Sequence, residues 1–334
     1  MSAGPVFLLS FTDKGQQLAE SLAGPLGGQA ARCGSPLSLA QWTGKHFSQA
    51  GALVFVGATG IAVRAIAPYI KSKVQDPAVV VVDEGAHWAI PILSGHLGGA
   101  NDLARRIAGL CGAAAVLTTA TDVNGVFAVD EWSKRQNCRI VNPEKIKTVS
   151  SAVLAGTPVR VYSEFPIAGN TPPGLCLTPS APWDLYLGLH REASGALHLV
   201  PRIAVLGVGC RKGTAAEPLE QALDQLLAET DLCEQALCAV ASIDLKKDEP
   251  GLQAFCKAHG WPLQTYSAAA LAAVPGTFTP SPFVRRVTGV DNVCERAAVR
   301  ASGGTLFSKK HAGNGVTMAL ALKPYTPDWR WQDE

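Results

Sequence analysis

The features that constrain this fold most are two uninterrupted apolar segments, ALVFV at Ala52–Val56 and AVVVV at Ala78–Val82. A strand with one face in water alternates apolar and polar side chains, whereas neither segment contains a polar residue. Fully apolar strands are typical of a parallel sheet that helices cover on both faces. Helical periodicity separates the strands of this region, so we predict an α/β fold with an N-terminal doubly wound parallel sheet.

The pattern of strands and helices changes twice along the 334 residues, a length that suggests two or three domains. Residues 1–128 carry the first α/β pattern. Residues 129–200 are rich in proline and alternate short strands with turns, which indicates a small middle or linking domain. A second alternation begins near Pro201 and ends in a predicted hairpin. We assign residues 201–325 to a C-terminal α/β domain.

The composition excludes several classes of protein. Apolar residues make up 47% of the chain and charged residues 17%, which excludes a disordered chain. The formal net charge of +2 lacks the basic excess of a nucleic-acid binder. No segment approaches the roughly 20 apolar residues of a membrane helix, and the apolar start is too short for a signal peptide. We therefore expect a cytoplasmic protein that binds neither nucleic acid nor a membrane.

The nine cysteines give no sign of a metal site. No CxxC pair occurs, and no cysteine–histidine set has the spacing of zinc ligands. His87 and His96 do not form the HExxH pattern of zinc hydrolases either. We therefore expect no metal held by the protein. Cys210, beside Arg211 and Lys212, is a candidate for a thiol of lowered pKa.

The densest polar segment is DEGAHWAIPILSGHLGGAN, residues 83–101. Ligands of a doubly wound sheet bind at the carboxyl ends of its strands, and we place both the DEG turn and the loop 94–101 there. His96 titrates near neutral pH, which suits a general base. Gly98 and Gly99 are able to present N–H groups to an anion. The alternative is that these glycines only form a turn and that His96 is structural.

Two further glycine-rich turns, residues 57–60 and 207–213, follow predicted strands. Neither matches GxGxxG or the Walker A loop, so a nucleotide site is disfavoured. An anion-binding turn suits both better, since Arg64 lies near the first and Arg211 and Lys212 lie in the second. The alternative is that the glycines allow close packing of helices.

Six segments resemble one family, the cobalt-precorrin-5A hydrolases of anaerobic cobalamin biosynthesis. In the N-terminal part these are GATGIAVRAIAP (57–68), DPAVVVVDEG (76–85) and IPILSGHLGGANDLA (90–104). In the C-terminal part they are VLGVGCRKGT (205–214), TGVDNVCERAA (288–298) and GVTMALALKP (315–324). The resemblance covers most of the chain and is loosest over 130–200.

The resemblance implies a reaction. In this family the δ-lactone of a cobalt-containing macrocycle opens, and a two-carbon unit leaves as acetaldehyde to give cobalt-precorrin-5B. The macrocycle carries many acetate and propionate groups. Because cobalt belongs to the substrate, the resemblance implies no protein cofactor.

Roles for single residues follow from this chemistry as hypotheses. His96 would activate water as the base, with Glu84 or Asp83 as its partner. Ser94, counted with the catalytic residues, would orient the substrate together with Asn101. N–H groups near Gly98 and Gly99 would stabilise the oxyanion. The candidates for substrate binding are Gly57, Thr59, Gly60, Arg64, Gly98, Gly99, Asn101, Gly209, Cys210, Arg211 and Lys212. The cations among them are expected to pair with substrate carboxylates at a cleft between the two α/β units.

Two other functions stay open. One is a non-catalytic binder or carrier of corrinoid intermediates, because a stand-alone protein of the aerobic pathway resembles the C-terminal part alone. The other is a nucleotide-dependent α/β enzyme, which would need a phosphate loop. The expected partner is the tetrapyrrole substrate. The resemblance is also compatible with transient contact to other cobalamin-pathway enzymes and with a homo-oligomer.

Overall fold

The computed structural model of this chain describes residues 4–34, 36–72, 75–96, 98–191 and 195–331. The chain divides into two compact units, 1–131 and 132–334. The first unit contains one six-stranded sheet, and the second contains two five-stranded sheets. This arrangement confirms the predicted α/β class. Within the described ranges, no helix is both long and apolar enough to cross a membrane.

The first unit is built on a sheet with the strand order β2-β1-β3-β4-β5-β6. Its strands are β1 (Val6–Ser10), β2 (Gly28–Arg32), β3 (Ala52–Val56), β4 (Ala78–Val82), β5 (Trp88–Leu93) and β6 (Ala114–Ala115). Its helices are α1 (Asp13–Leu26), α2 (Leu39–His46), α3 (Thr59–Ile66), α4 (Ala100–Cys111) and α5 (Ala120–Asn124). A further helix, α6 (Val129–Arg135), begins in this unit and ends in the next.

Helices cover both faces of this sheet, as the apolar strands predict. Leu8 and Val54 pack on one face with apolar residues of α1 and α4. Leu53 and Phe55 pack on the other face with residues of α2 and α3. Every residue of β3 and β4 is buried. Burial on both faces explains why these strands contain no polar side chain.

Strand β5 departs from the parallel order. It pairs antiparallel with β4, so that Val82 lies opposite Ala89 and Val79 lies opposite Leu93. The link 83–87 is too short for a parallel crossover, which takes a dozen or more residues. The prediction that the DEG turn and the loop 94–101 share one edge of the sheet is therefore wrong. They lie at opposite ends of a six-residue strand, which spans about 20 Å.

The proline-rich region forms the first sheet of the second unit, with the order β7-β11-β10-β8-β9. Its strands are β7 (Cys138–Ile140), β8 (Val159–Ser163), β9 (Leu175–Leu177), β10 (Leu185–Leu187) and β11 (Leu197–Pro201), and α7 (Ile146–Leu154) follows β7. The predicted domains 129–200 and 201–325 thus fall largely within one compact unit.

The C-terminal sheet has the order β14-β13-β12-β16-β15. Its strands are β12 (Ala204–Cys210), β13 (Leu237–Ile243), β14 (Leu263–Tyr266), β15 (Thr305–Gly313) and β16 (Val316–Leu322). Its helices are α8 (Ala216–Thr230), α9 (Pro250–His259), α10 (Ala268–Ala272), α11 (Pro282–Thr288) and α12 (Cys294–Ser302). The predicted closing hairpin is confirmed, because β15 and β16 pair antiparallel.

Gly207 lies where β12 packs directly against α12. A Cβ at this position would collide with the carbonyl oxygen of Cys294 in α12. We expect Gly207→Ala to lower the free energy of unfolding by about 1–3 kcal/mol, because the helix must shift to make room. Urea denaturation measures this loss. Gly109→Ala is the matched control, since no atom lies within 4 Å of its added Cβ, and an equal loss in both variants would contradict the packing role.

Candidate functional site

The loop 94–101 leads from β5 into the first turn of α4, and hydrogen bonds within its own backbone hold it as a turn. The N–H of Gly99 donates to the carbonyl of His96 at 3.0 Å. Gly98 has no room for a side chain, because a Cβ there would collide with Ser94. The Ser94 hydroxyl donates to a backbone carbonyl at 3.0 Å and is buried. These residues build the turn, and the oxyanion role predicted for the Gly99 N–H is wrong because that donor is occupied.

His96 extends from this loop into three carboxylates, and we call the group His96, Asp122, Asp130 and Glu131 the His96 cluster. Nδ1 of His96 lies 3.1 Å from Asp130 Oδ2. Nε2 lies 3.0 Å from Asp122 Oδ2 and 3.6 Å from Glu131 Oε1. Each of these side chains is 10% exposed or less. Leu97, the next residue of the loop, lies outside the described residues.

Asp122 is held in place by two neighbours on α4. Asn101 Nδ2 donates to Asp122 Oδ2 at 3.0 Å, and Arg105 Nη2 donates to Asp122 Oδ1 at 2.6 Å. Asn101 also donates to Thr119, which fixes its amide group. Because Asn101 is only 2% exposed, its side chain positions Asp122 and does not reach toward a substrate as predicted.

The electrostatics of the cluster do not favour His96 as a base. Burial lowers the pKa of His96, but the hydrogen bonds and charges of Asp130, Asp122 and Glu131 outweigh burial and raise it to about 9. The ring is therefore protonated at neutral pH in this arrangement. Burial raises the pKa of Glu131 to about 7, although the His96 charge acts in the opposite direction. Oε2 of Glu131 is buried and has no hydrogen-bond partner among the described residues.

The acidic residues predicted to assist His96 lie at the other edge of the sheet. Glu84 accepts a hydrogen bond from Thr12 at 2.6 Å. Asp83 accepts from the ring and backbone of His87 and closes the β4–β5 turn. Neither residue contacts His96, so the predicted pairing is wrong. The other candidates at this edge, which follow β3, are Gly57, Thr59, Gly60 and Arg64.

The carboxylates that do contact His96 were missed in the sequence. They follow it by 26 to 35 positions, so no local spacing connects them. One signal was available, because Asp122 comes shortly after β6, and β6 is parallel to β5. The rule that ligand-binding loops follow the carboxyl ends of parallel strands places Asp122 beside the loop that carries His96.

A second candidate site is a large cleft in the C-terminal part of the second unit. Its volume is about 1130 Å³, above the range of about 300–1,000 Å³ usual for small-ligand pockets. All four candidates from the glycine-rich segment 207–213 line it: Gly209 and Cys210 at the end of β12, and Arg211 and Lys212 just after it. All of its lining residues belong to this unit, so the cleft is not the one expected between the two α/β units. Burial raises the pKa of Cys210, which contradicts the predicted lowering.

The walls of this cleft combine exposed apolar side chains with unpaired cations. Leu245, Phe283 and Val287 are each more than 60% exposed. Arg211, Lys212 and Lys310 also line the cleft, and none of them forms an ion pair with a described residue. Lys246 differs, since it pairs with Glu249 at 2.8 Å. Clustered apolar exposure of this kind marks a binding surface.

Three family models match successive parts of the chain. They are described as "Cobalamin synthesis G N-terminal" over 41–122, "Cobalamin biosynthesis central region" over 127–181 and "Cobalamin synthesis G C-terminus" over 204–321. Together they span most of the sequence and overlap all six segments on which the resemblance was based.

Curated relatives agree with these models. The cobalt-precorrin-5A hydrolase of Salmonella typhimurium is 36% identical over 291 residues, which are 83% of each chain. That of Priestia megaterium is 33% identical over 297 residues, 82% of this chain and 79% of the relative. Protein CobE from Sinorhizobium is 33% identical over 120 residues, 35% of this chain and 78% of the relative. The resemblance read from the sequence is confirmed, and this chain belongs to the cobalt-precorrin-5A hydrolase family.

Proposed function

We propose that this chain hydrolyses cobalt-precorrin-5A, opening its δ-lactone and cleaving a carbon–carbon bond so that acetaldehyde leaves and cobalt-precorrin-5B remains. Family membership supports the reaction, and the C-terminal cleft is the structural observation that carries it. An apolar wall suits the face of a macrocycle, and unpaired cations suit its acetate and propionate groups. The cleft is also larger than usual small-ligand pockets.

The proposed reaction has two steps, hydrolysis of the lactone and cleavage of a carbon–carbon bond. Water adds to the lactone carbonyl, and the ester C–O bond breaks to give a carboxylic acid and an alcohol. A base then removes the proton of the alcohol, and its carbon–carbon bond to the ring breaks. The electron pair of that bond passes to the conjugated macrocycle, while the alcohol carbon becomes the carbonyl of acetaldehyde.

The His96 cluster is the proposed catalytic centre. It brings one imidazole and three carboxylates together in a site that is at least nine-tenths buried. None of its members is a serine or a cysteine, so it suits activation of water rather than a covalent acyl intermediate. Since both nitrogens of His96 face carboxylates, the cluster as a whole replaces the single histidine base predicted from the sequence.

Acetaldehyde release tests this function directly. We expect the purified protein, incubated anaerobically with cobalt-precorrin-5A, to release one acetaldehyde per macrocycle, measured by coupled reduction with alcohol dehydrogenase and NADH. His96→Ala should reduce the rate by at least about 100-fold, because the cluster loses the group that connects its carboxylates. His87→Ala is the control, since His87 is exposed and lies in the β4–β5 turn.

If this protein binds the macrocycle without releasing acetaldehyde, its function is that of the non-catalytic carrier of corrinoid intermediates. Wild-type rates in His96→Ala would remove the His96 cluster from catalysis and leave the overall reaction in place. The cytoplasmic location and the contacts with other pathway enzymes stay predictions.

A further inference from the structure

We propose that the His96 cluster binds a divalent transition-metal ion, with His96 Nε2 and carboxylate oxygens of Asp122 and Glu131 as its ligands. One ligand atom from each of these three side chains lies within 4.8 Å of the other two. Nε2 is 3.0 Å from the Asp122 oxygen and 3.6 Å from the Glu131 oxygen. Tetrahedral ligands at about 2.1 Å from zinc lie about 3.4 Å from one another, a spacing close to both of these distances from Nε2.

Glu131 provides an independent reason to place an ion here. Its side chain is 92% buried, and its Oε2 has no hydrogen-bond partner in the described part of the chain. A buried carboxylate oxygen without a donor is costly, and native proteins nearly always satisfy such atoms. Oε2 belongs to the same carboxylate as Oε1, the oxygen that lies 3.6 Å from His96 Nε2. A cation between Glu131, Asp122 and His96 that bound this carboxylate through both oxygens would therefore also satisfy Oε2.

The surrounding contacts are those of a supported metal site. A metal-bound histidine usually gives its other ring nitrogen to a carboxylate, which fixes its orientation. Asp130 occupies that position, 3.1 Å from Nδ1 of His96. Asn101 and Arg105 hold Asp122 through its Oδ2 and Oδ1 atoms, respectively. Two of the three proposed ligands, His96 and Asp122, are therefore oriented before an ion arrives.

The charge of the cluster also fits a divalent ion. When His96 coordinates as a neutral imidazole, the two proposed carboxylate ligands, Asp122 and Glu131, each bring a negative charge to the site, and Arg105 pairs with Asp122. A divalent cation would offset the negative charge that these buried carboxylates bring together. An imidazole nitrogen beside two carboxylates suits Zn²⁺ or Mn²⁺ better than Mg²⁺, which prefers oxygen ligands and water.

The ion would supply a chemical function that His96 does not. With three protein ligands, Zn²⁺ keeps a fourth position for water and lowers the pKa of that water to about 7. This catalytic use rests on the proposed function, whereas ion binding does not. The expectation of no protein metal came from motif spacing, which cannot register ligands that lie on three separate segments.

Metal binding can be measured without any substrate. The purified protein would be stripped with a chelator and titrated with Zn²⁺ or Mn²⁺, with calorimetry for affinity and elemental analysis for stoichiometry. We expect one ion per chain. Glu131→Gln should weaken binding by about 100-fold through loss of a charged ligand, and Asp130→Asn by about 10- to 100-fold through loss of the orienting carboxylate.

Asp102→Asn is the matched control, since Asp102 pairs with Arg105 at the exposed end of the same network and contributes no ligand. Thermal unfolding of each metal-free variant would show that the fold is retained. The absence of stoichiometric binding, or equal affinity in wild type and Glu131→Gln, would overturn the inference. If the stripped protein binds no ion yet still releases acetaldehyde, the metal inference fails and the proposed function stands. If it binds the ion but never releases acetaldehyde, the metal inference stands and the proposed function fails.

Discussion

Asp122→Asn is expected to slow acetaldehyde release by at least about 100-fold at saturating substrate. The Asp122 carboxylate accepts hydrogen bonds from Asn101 and Arg105 and lies 3.0 Å from Nε2 of His96. An asparagine cannot carry the negative charge that holds these groups together. We expect kcat to fall while KM changes little, because the proposed macrocycle-binding cleft is formed by other residues.

The control for this variant is again Asp102→Asn, which should keep the wild-type rate within about twofold, as expected for an exposed ion pair. Its carboxylate is 46% exposed and contacts Arg105 at 3.3 Å, whereas Asp122 is 6% exposed. Thermal unfolding of Asp122→Asn separates lost chemistry from lost structure. A folded Asp122→Asn protein that turns over at the wild-type rate would exclude the His96 cluster as the catalytic centre.

Lys310→Glu is expected to weaken binding of cobalt-precorrin-5A by about 30-fold at low ionic strength. An attraction of about 1 kcal/mol at 4 Å in water becomes a repulsion of similar size, and a difference of about 2 kcal/mol corresponds to that factor. Lys310 lines the cleft, and its side chain forms no ion pair with a described carboxylate, so its charge is available to the substrate. The same reasoning predicts a similar loss for Arg211→Glu.

Lys309→Glu provides the comparison for Lys310→Glu, because Lys309 is the adjacent residue, is exposed and does not line the cleft. Both variants change the net charge equally, so only a local contact can distinguish them. Affinity would be measured by quenching of protein fluorescence or by calorimetry at two salt concentrations, since exposed charge pairs weaken in salt. Equal affinities of the two variants would place the macrocycle elsewhere.

The direction of β5 could have been predicted from the sequence. The antiparallel direction of β5 follows from the five residues between β4 and β5, a count that is visible in the sequence. The roles of Gly98 and Gly99, in contrast, could not be predicted from the sequence. Only the folded loop shows that a side chain at Gly98 would strike Ser94 and that the Gly99 N–H is already bonded.

The sequence by itself determined the features that depend on local periodicity and composition. Continuous apolar runs identified β3 and β4, and the glycine-rich segment 207–213 identified four residues of the cleft. These patterns can be read locally, because burial of a strand or a helix face selects residues at fixed spacing.

Only the tertiary structure decided what surrounds His96. Asp122, Asp130 and Glu131 reach it from two later helices, and no spacing in the sequence records that approach. The pKa of His96 depends on burial and on the charges that the fold brings within 4 Å. The prediction of a neutral histidine base, which used the residue type alone, was therefore wrong. The identity of a residue indicates which chemistry its side chain can perform. The packing of distant segments around that side chain decides its protonation state.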